Sequence, residues 1–179
     1  MTFVFIAGPM KSGKTLELVA RVEPFAFAKK HILYIQPACN TREEHITSRL
    51  GVSSKALVVR SLADVTQEFD VVGIDELHMF PPEDSEQILS WILKGKSVVV
   101  TGLDVDYRGR IPEIIQRVLA LKPDIISKQA VCEQCHVFDA RFSQILLDGT
   151  AVTDGLPHIV PEDGTYQYEA RCRNCFVRT

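Results

Sequence analysis

Eight consecutive residues near the start, Gly8-Pro9-Met10-Lys11-Ser12-Gly13-Lys14-Thr15, match G-x-x-x-x-G-K-[ST] at every fixed position. Glycines let a backbone curl until several N–H groups aim at one point, which suits an anion. A helix opening directly after such a loop adds unsatisfied donors and the positive end of its dipole. Lys14 can then reach the β and γ phosphates of a nucleotide, and the Thr15 hydroxyl can ligate Mg²⁺. The flanks this chemistry needs are present: the apolar run Phe3-Val4-Phe5-Ile6-Ala7 before the motif, and Leu16, Leu18 and Val19 after it. We read residues 8–15 as a cradle for ATP phosphates. The competing reading, a chance strand–turn–helix carrying a lysine, does not account for motif and flanks together.

A second candidate is the pair Asp75-Glu76, which closes the buried-strand pattern Phe69-Asp70-Val71-Val72-Gly73-Ile74. A carboxylate at the end of a core strand is costly unless something pairs with it. Nucleotide-bound Mg²⁺ is the natural partner for Asp75, the role of a Walker-B acid. Glu76, one residue on, is expected to point to the other side of the strand as a general base toward a hydroxyl or water. The alternatives are a turn-capping acid for Asp75 and a solvated or salt-bridged acid for Glu76.

Four thiols form the third constellation. Cys132-Glu133-Gln134-Cys135 and Cys172-Arg173-Asn174-Cys175 are C-x-x-C pairs separated by 36 residues. Two such pairs supply the closed tetrahedral set of a structural Zn²⁺ site. A redox role is the alternative, but neither pair opens a helix of a thioredoxin-like unit. His136 could substitute as a ligand, although a solvated histidine fits it better, and Cys39 is left over as an inert thiol.

These groups need elements to position them. Nearly unbroken apolar runs at residues 4–7, 32–35, 57–60, 71–75 and 98–102 read as strands buried on both faces. Helical spacing covers residues 13–29, 84–93 and 112–121, with Pro81 and Pro82 before the second and Pro112 in the first turn of the third. Trp91, Phe25 and Phe27 are expected to pack in the core. The alternation predicts an α/β protein: an open parallel P-loop sheet with helices on both faces. From Cys132 the texture changes to a Gly-, Pro- and Asp-rich stretch between the cysteine pairs. We therefore expect two domains, a nucleotide-binding part at 1–131 and a small zinc-bound β module at 132–179.

Composition narrows the function. The chain has 179 residues, 46% of them hydrophobic, and a formal net charge of −3. That leaves no basic footprint for a nucleic-acid polymer. No apolar run reaches the ~18 residues of a membrane span, and the first residues lack the basic region and cleavage site of a signal peptide. The expectation is a cytoplasmic protein.

Taken in order, these segments resemble the zinc-containing thymidine kinases along nearly the whole chain. Gly8–Thr15, with Pro-Met after its first glycine, looks like that family's phosphate loop. Asn40-Thr41-Arg42 resembles its Asp-x-Arg element, Ser48-Arg49-Leu50-Gly51 a short motif beyond, and Asp75-Glu76 the start of its Asp-Glu-x-Gln-Phe. Leu103-Asp104-Val105-Asp106-Tyr107-Arg108-Gly109 is similar to the bacterial Leu-Asp-x-Asp-Phe-Arg-Gly. Tyr168-Glu169-Ala170-Arg171-Cys172-Arg173-Asn174-Cys175 resembles the closing Tyr-Glu-Ala-x-Cys-Arg-x-Cys.

The resemblance implies transfer of the ATP γ-phosphate to the 5′-hydroxyl of thymidine or a related deoxynucleoside. Glu76 would be the base and Arg108 would steady phosphate charge. Met10, Met79, Leu103, Tyr107, Gly164 and Tyr168 would line the nucleoside site, under a lasso loop running from about residue 148 to 168. It also implies a homotetramer. The sequence departs from the family around the base: His78 and Met79 stand where Gln and Phe are usual, Lys11 replaces an aromatic, and Asn40 an acid. An ATP-driven switch and a nucleotide-binding homologue without transfer are the alternative functions.

Overall fold

The computed structural model describes residues 1–39, 45–47, 53–157, 160 and 164–178, with the backbone alone at 45–47 and 53–54. Asn40-Thr41-Arg42, Ser48-Arg49-Leu50-Gly51 and the loop residues 158, 159 and 161–163 lie outside the described residues.

Six parallel strands form the main sheet: β1 (Phe3–Ala7), β2 (Ile32–Pro37), β5 (Leu57–Val59), β6 (Val71–Ile74), β7 (Ser97–Gly102) and β8 (Asp124–Ser127). Their order is β5-β2-β6-β7-β1-β8, with every pairing parallel. Side chains alternate across a strand, so each apolar run must fill two cores. Phe5, Ile35, Val72, Ile74, Val98 and Val100 enter one, closed by α3 (Asp84–Leu93) and α4 (Glu113–Ala120) through Ile88, Trp91, Ile114, Ile115 and Val118. Val4, Ile6, Tyr34, Val71 and Val99 enter the other, closed by α1 (Lys14–Val22) through Leu18, Val19 and Val22. The expected open α/β sheet with helices on both faces is what the chain forms.

Three local readings change. The single helix expected over residues 13–29 is α1 followed by α2 (Pro24–Phe27), a one-turn helix that starts at the proline. Phe25 packs against the core, but Phe27 is 92% exposed, because one turn cannot turn both rings inward. The strand expected to run to Asp75 ends at Ile74. The sixth strand, β8, was not anticipated; its Asp124 and Ile125 are exposed, so this edge lacks the continuous apolar signature of the inner strands.

The C-terminal part is a separate antiparallel sheet, β10-β9-β11, from β9 (Phe142–Leu147), β10 (Thr150–Val152) and β11 (Gln167–Arg171). A two-stranded hairpin, β3 (His45–Thr47) with β4 (Ser53–Lys55), completes the described strands. No helix among the described residues is long and apolar enough to cross a membrane.

Candidate functional site

The C-terminal ends of β1, β6 and β7 lie side by side in the sheet, and each delivers one part of a polar cluster. From β1 the chain enters residues 8–15. Gly8 has φ 151°, and a Cβ there would stand 2.6 Å from the Lys128 carbonyl, so glycine is required. Gly13, left-handed at φ 78°, caps α1. The Ser12 hydroxyl and the Lys14 ammonium both donate to the Pro9 carbonyl, at 2.7 and 2.8 Å, which draws the loop into a tight curl. Lys14 is 6% exposed, held at the base of the loop where phosphate oxygens would meet it.

From β6 come the two acids. The Thr15 hydroxyl donates to Asp75 Oδ2 at 3.0 Å, joining the loop to the acid pair across 60 residues of sequence. Asp75 Oδ1 accepts from the Thr101 hydroxyl on β7 and from the Glu76 N–H. Burial, reinforced by the neighbouring Glu76 charge, pushes the Asp75 carboxyl up to about 6. A hydroxyl and a buried carboxylate with excess negative potential form the hard-oxygen donor set that suits Mg²⁺.

Glu76 is not turned by strand alternation, as the sequence suggests, but by its own backbone. It is left-handed at φ 51°, ψ 44°, at the start of a short 3-10 turn over Leu77–Met79. A non-glycine residue in this conformation carries strain that concentrates at functional positions. Its Oε2 lies 3.5 Å from Nδ1 of His78, which is buried. The Leu103 N–H donates to that nitrogen at 3.3 Å. Met79 and Leu103 flank this corner, both half-buried.

The segment after β7 makes a tight turn around Asp106, whose Oδ1 accepts from the N–H groups of Arg108 and Arg110, each at 2.9 Å. The turn presents Tyr107 and Arg108 to the small sheet. The Tyr107 hydroxyl donates to the Leu156 carbonyl at 2.8 Å and accepts from the Leu156 N–H at 3.0 Å. Arg108 reaches the Leu156 carbonyl at 3.0 Å and Asp154 at 3.4 Å, with its guanidinium 5.0 Å from the Tyr107 ring centre. Tyr107 packs with Ile145 and Val160, joined by Leu156, Tyr166 and Tyr168. Tyr168 donates through its hydroxyl to the Val160 carbonyl at 2.5 Å, and Gly164, left-handed at φ 91°, lies in the open. The residues expected to hold a nucleoside thus fall into two groups, Met79 and Leu103 beside the acids and Tyr107, Gly164 and Tyr168 on the loop side, with Met10 between loop and module.

The four cysteine sulfurs lie within 4.8 Å of one another. Burial works against ionising Cys132, but backbone donors at Cys172, Cys135 and Gln134 outweigh it and hold that thiol at about 6. Burial, with the surrounding thiols, pushes Cys175 up to about 12. Four sulfurs contending for one negative charge are what a divalent cation relieves, so the set fits Zn²⁺. His136 is exposed and stands outside the cluster, as does Cys39.

Two groups at the site, Thr101 and Ser143, went unnoticed in the sequence, and a third, Asp104, figures there only within a motif and with no role of its own. Thr101 is the one hydroxyl at the end of a valine strand, a signal that only a neighbouring acid makes meaningful. Asp104 is buried enough to raise its carboxyl above the usual range, with the Lys14 charge opposing. Ser143 accepts from the Met10 N–H at 2.9 Å, a contact across 133 residues that no local pattern announces.

Comparison with known proteins gives a consistent answer. The thymidine kinase family profile matches residues 1–176. A thymidine kinase of Mesoplasma florum is 34% identical over 182 aligned residues, covering 96% of this chain and 89% of its own. Thymidine kinases from two strains of Chloroflexus aurantiacus are each 34% identical over 179, covering 96% and 92%.

Proposed function

This chain belongs to the thymidine kinase family, and from that premise we propose that it moves the γ-phosphate of ATP to the 5′-hydroxyl of thymidine or a related deoxynucleoside. The observation that carries the reading is the Thr15–Asp75 hydrogen bond, which joins the phosphate loop to the acid pair at the point where Glu76 begins.

Residues 8–15 cradle the phosphates through their N–H groups, apart from Pro9, which has none, and Met10, whose N–H goes to Ser143, and Lys14 exchanges the Pro9 carbonyl for β- and γ-phosphate oxygens. Thr15 and Asp75 would hold Mg²⁺, which supplies charge neutralisation on those phosphates. Glu76 takes the proton of the nucleoside 5′-hydroxyl as its oxygen forms the new bond to phosphorus. The bond from phosphorus to the β–γ bridging oxygen breaks, and ADP leaves with that electron pair. Arg108 steadies the transferring charge when the loop it contacts closes over the nucleoside. Met10, Met79, Leu103, Tyr107, Gly164 and Tyr168 define where the nucleoside lies. Zn²⁺ on Cys132, Cys135, Cys172 and Cys175 holds the ends of that loop, within a module spanning 132–179 beside the nucleotide-binding part at 1–131. A cytoplasmic homotetramer acting in nucleotide salvage completes the reading, by family resemblance.

The test is ATP-dependent phosphorylation of thymidine, deoxyuridine and deoxycytidine by zinc-replete protein, with Glu76→Gln alongside. Phosphorylation of thymidine, with turnover in Glu76→Gln lower by a factor of about 10² to 10⁴, is expected. Near-normal turnover in that variant would remove Glu76 as the base. ATP binding without transfer to any nucleoside would overturn the kinase reading.

A further inference from the structure

Lys11 sits in the middle of the phosphate loop, yet its side chain leaves the loop. Its backbone is left-handed, at φ 63°. Its ammonium lies 2.5 Å from Glu133 Oε2 and donates to the Tyr168 carbonyl at 3.2 Å. Glu133 is the residue after Cys132 in the first C-x-x-C pair. Its other oxygen accepts from the Ala170 N–H at 2.8 Å, and its own N–H donates to the Ala170 carbonyl at 2.9 Å. Ala170 lies on β11, two residues before Cys172. One carboxylate thus links both cysteine pairs to one lysine of the loop. The adjacent Met10 N–H is fastened to Ser143 of β9.

The physics of the loop gives this strap a consequence. Backbone N–H groups bind phosphate well only when the curl is already set before the anion arrives. Lys11 in a left-handed conformation does not hold that curl unaided, since such a backbone costs a lysine free energy. The ion pair to Glu133, with the carbonyl of Tyr168 as second acceptor, holds it from outside. Glu133 in turn is placed by the chain geometry at the cysteines, which a bound metal makes rigid.

We propose that Lys11 is a positioning residue through which the four-cysteine cluster sets the affinity of the phosphate loop for nucleotide. Metal on the cysteines fixes Glu133, Glu133 fixes Lys11, and Lys11 holds the curl of residues 8–15. This rests on the reading of that loop as the ATP site and adds to it a coupling between two sites, which by linkage acts in both directions.

The experiment measures the dissociation constant of Mg-ADP by calorimetry in zinc-loaded and zinc-stripped protein, for wild type, Lys11→Met, Lys11→Arg, Glu133→Gln and the Lys11→Met/Glu133→Gln pair. Stripping zinc is expected to weaken binding to the wild type roughly 5- to 20-fold. It should change affinity less than about 2-fold in Lys11→Met and Glu133→Gln, and the double variant should lose no more than either single one. Lys11→Arg, which keeps the charge, should keep the zinc sensitivity. Equal weakening in all variants, as general loss of the module would cause, overturns the proposal, and so does a wild type indifferent to zinc. No Mg-ADP binding by the zinc-loaded wild type would instead sink the kinase reading, and this inference with it.

Discussion

Asp75 is buried with two hydroxyls and one N–H on its oxygens, and its carboxyl still titrates near 6. Burial opposes its charge, and Glu76 adds repulsion. A shift from 3.8 to about 6 means the folded, metal-free protein holds this proton more tightly than the unfolded chain. The stability it contributes is complete below pH 3.8, is lost as pH rises toward 6, and stays lost above. In protein freed of magnesium and nucleotide, the melting temperature of Asp75→Asn should therefore gain on the wild type across that window, and the gain should level off near neutrality. The difference at the plateau is on the order of 3 kcal/mol or less. A gap between the two that does not change with pH would show that the carboxyl titrates normally. A cation bound as proposed would relieve the same charge that weakens the empty fold, the behaviour expected of a binding residue rather than a structural one.

At the scale of the element, β6 must be thin to pass between its neighbours. A Cβ on Gly73 would stand 2.8 Å from the Tyr34 ring on β2 and 3.3 Å from Val22 on α1. Tyr34 is buried and its hydroxyl donates to Glu23 at 3.0 Å just beyond α1, so a shift of the ring would disturb that bond. Gly73→Ala should cost about 1–3 kcal/mol, read as a lower urea midpoint at constant m value. An unchanged midpoint would mean that the ring moves aside freely. The glycine is a packing residue here, although it stands two positions before Asp75 in a stretch whose other features are chemical.

For the whole molecule, the two sheets rest on different supports. The main sheet buries aromatic and branched side chains on both faces. Beside the cysteines the small sheet has Ala130, Ala140 and Ala170 with Cys132 and Cys172, little apolar volume to hold that end, while its other end packs Ile145 and Val160 on Tyr107. Chelation of zinc should raise hydrogen exchange around residues 130–135 and 170–175 while β1 and β7 stay protected. Equal protection before and after chelation would mean that the module is held by its contacts with residues 8–15 and Tyr107 instead. This division is also a test of the boundary placed near residue 131.

The phosphate loop, the acid pair and the four thiols were legible in the sequence because each is a local pattern whose chemistry dictates its spacing. The parallel sheet was legible because strands buried on both faces must be apolar throughout. Edge strand β8 escaped, since exposure on one side erases that pattern. The sequence by itself determined which groups could bind phosphate and metal, and resemblance along nearly its whole length supplied the family. Only the tertiary structure decided what faces what: the left-handed turn that aims Glu76 beside His78, the Thr101 hydroxyl on Asp75, Arg108 against the loop at Leu156, and Lys11 carried away from the phosphates to Glu133. These contacts join residues 26 to 122 apart on different elements, or rest on the backbone conformation of one residue, and neither is encoded in the spacing of residue types along a chain.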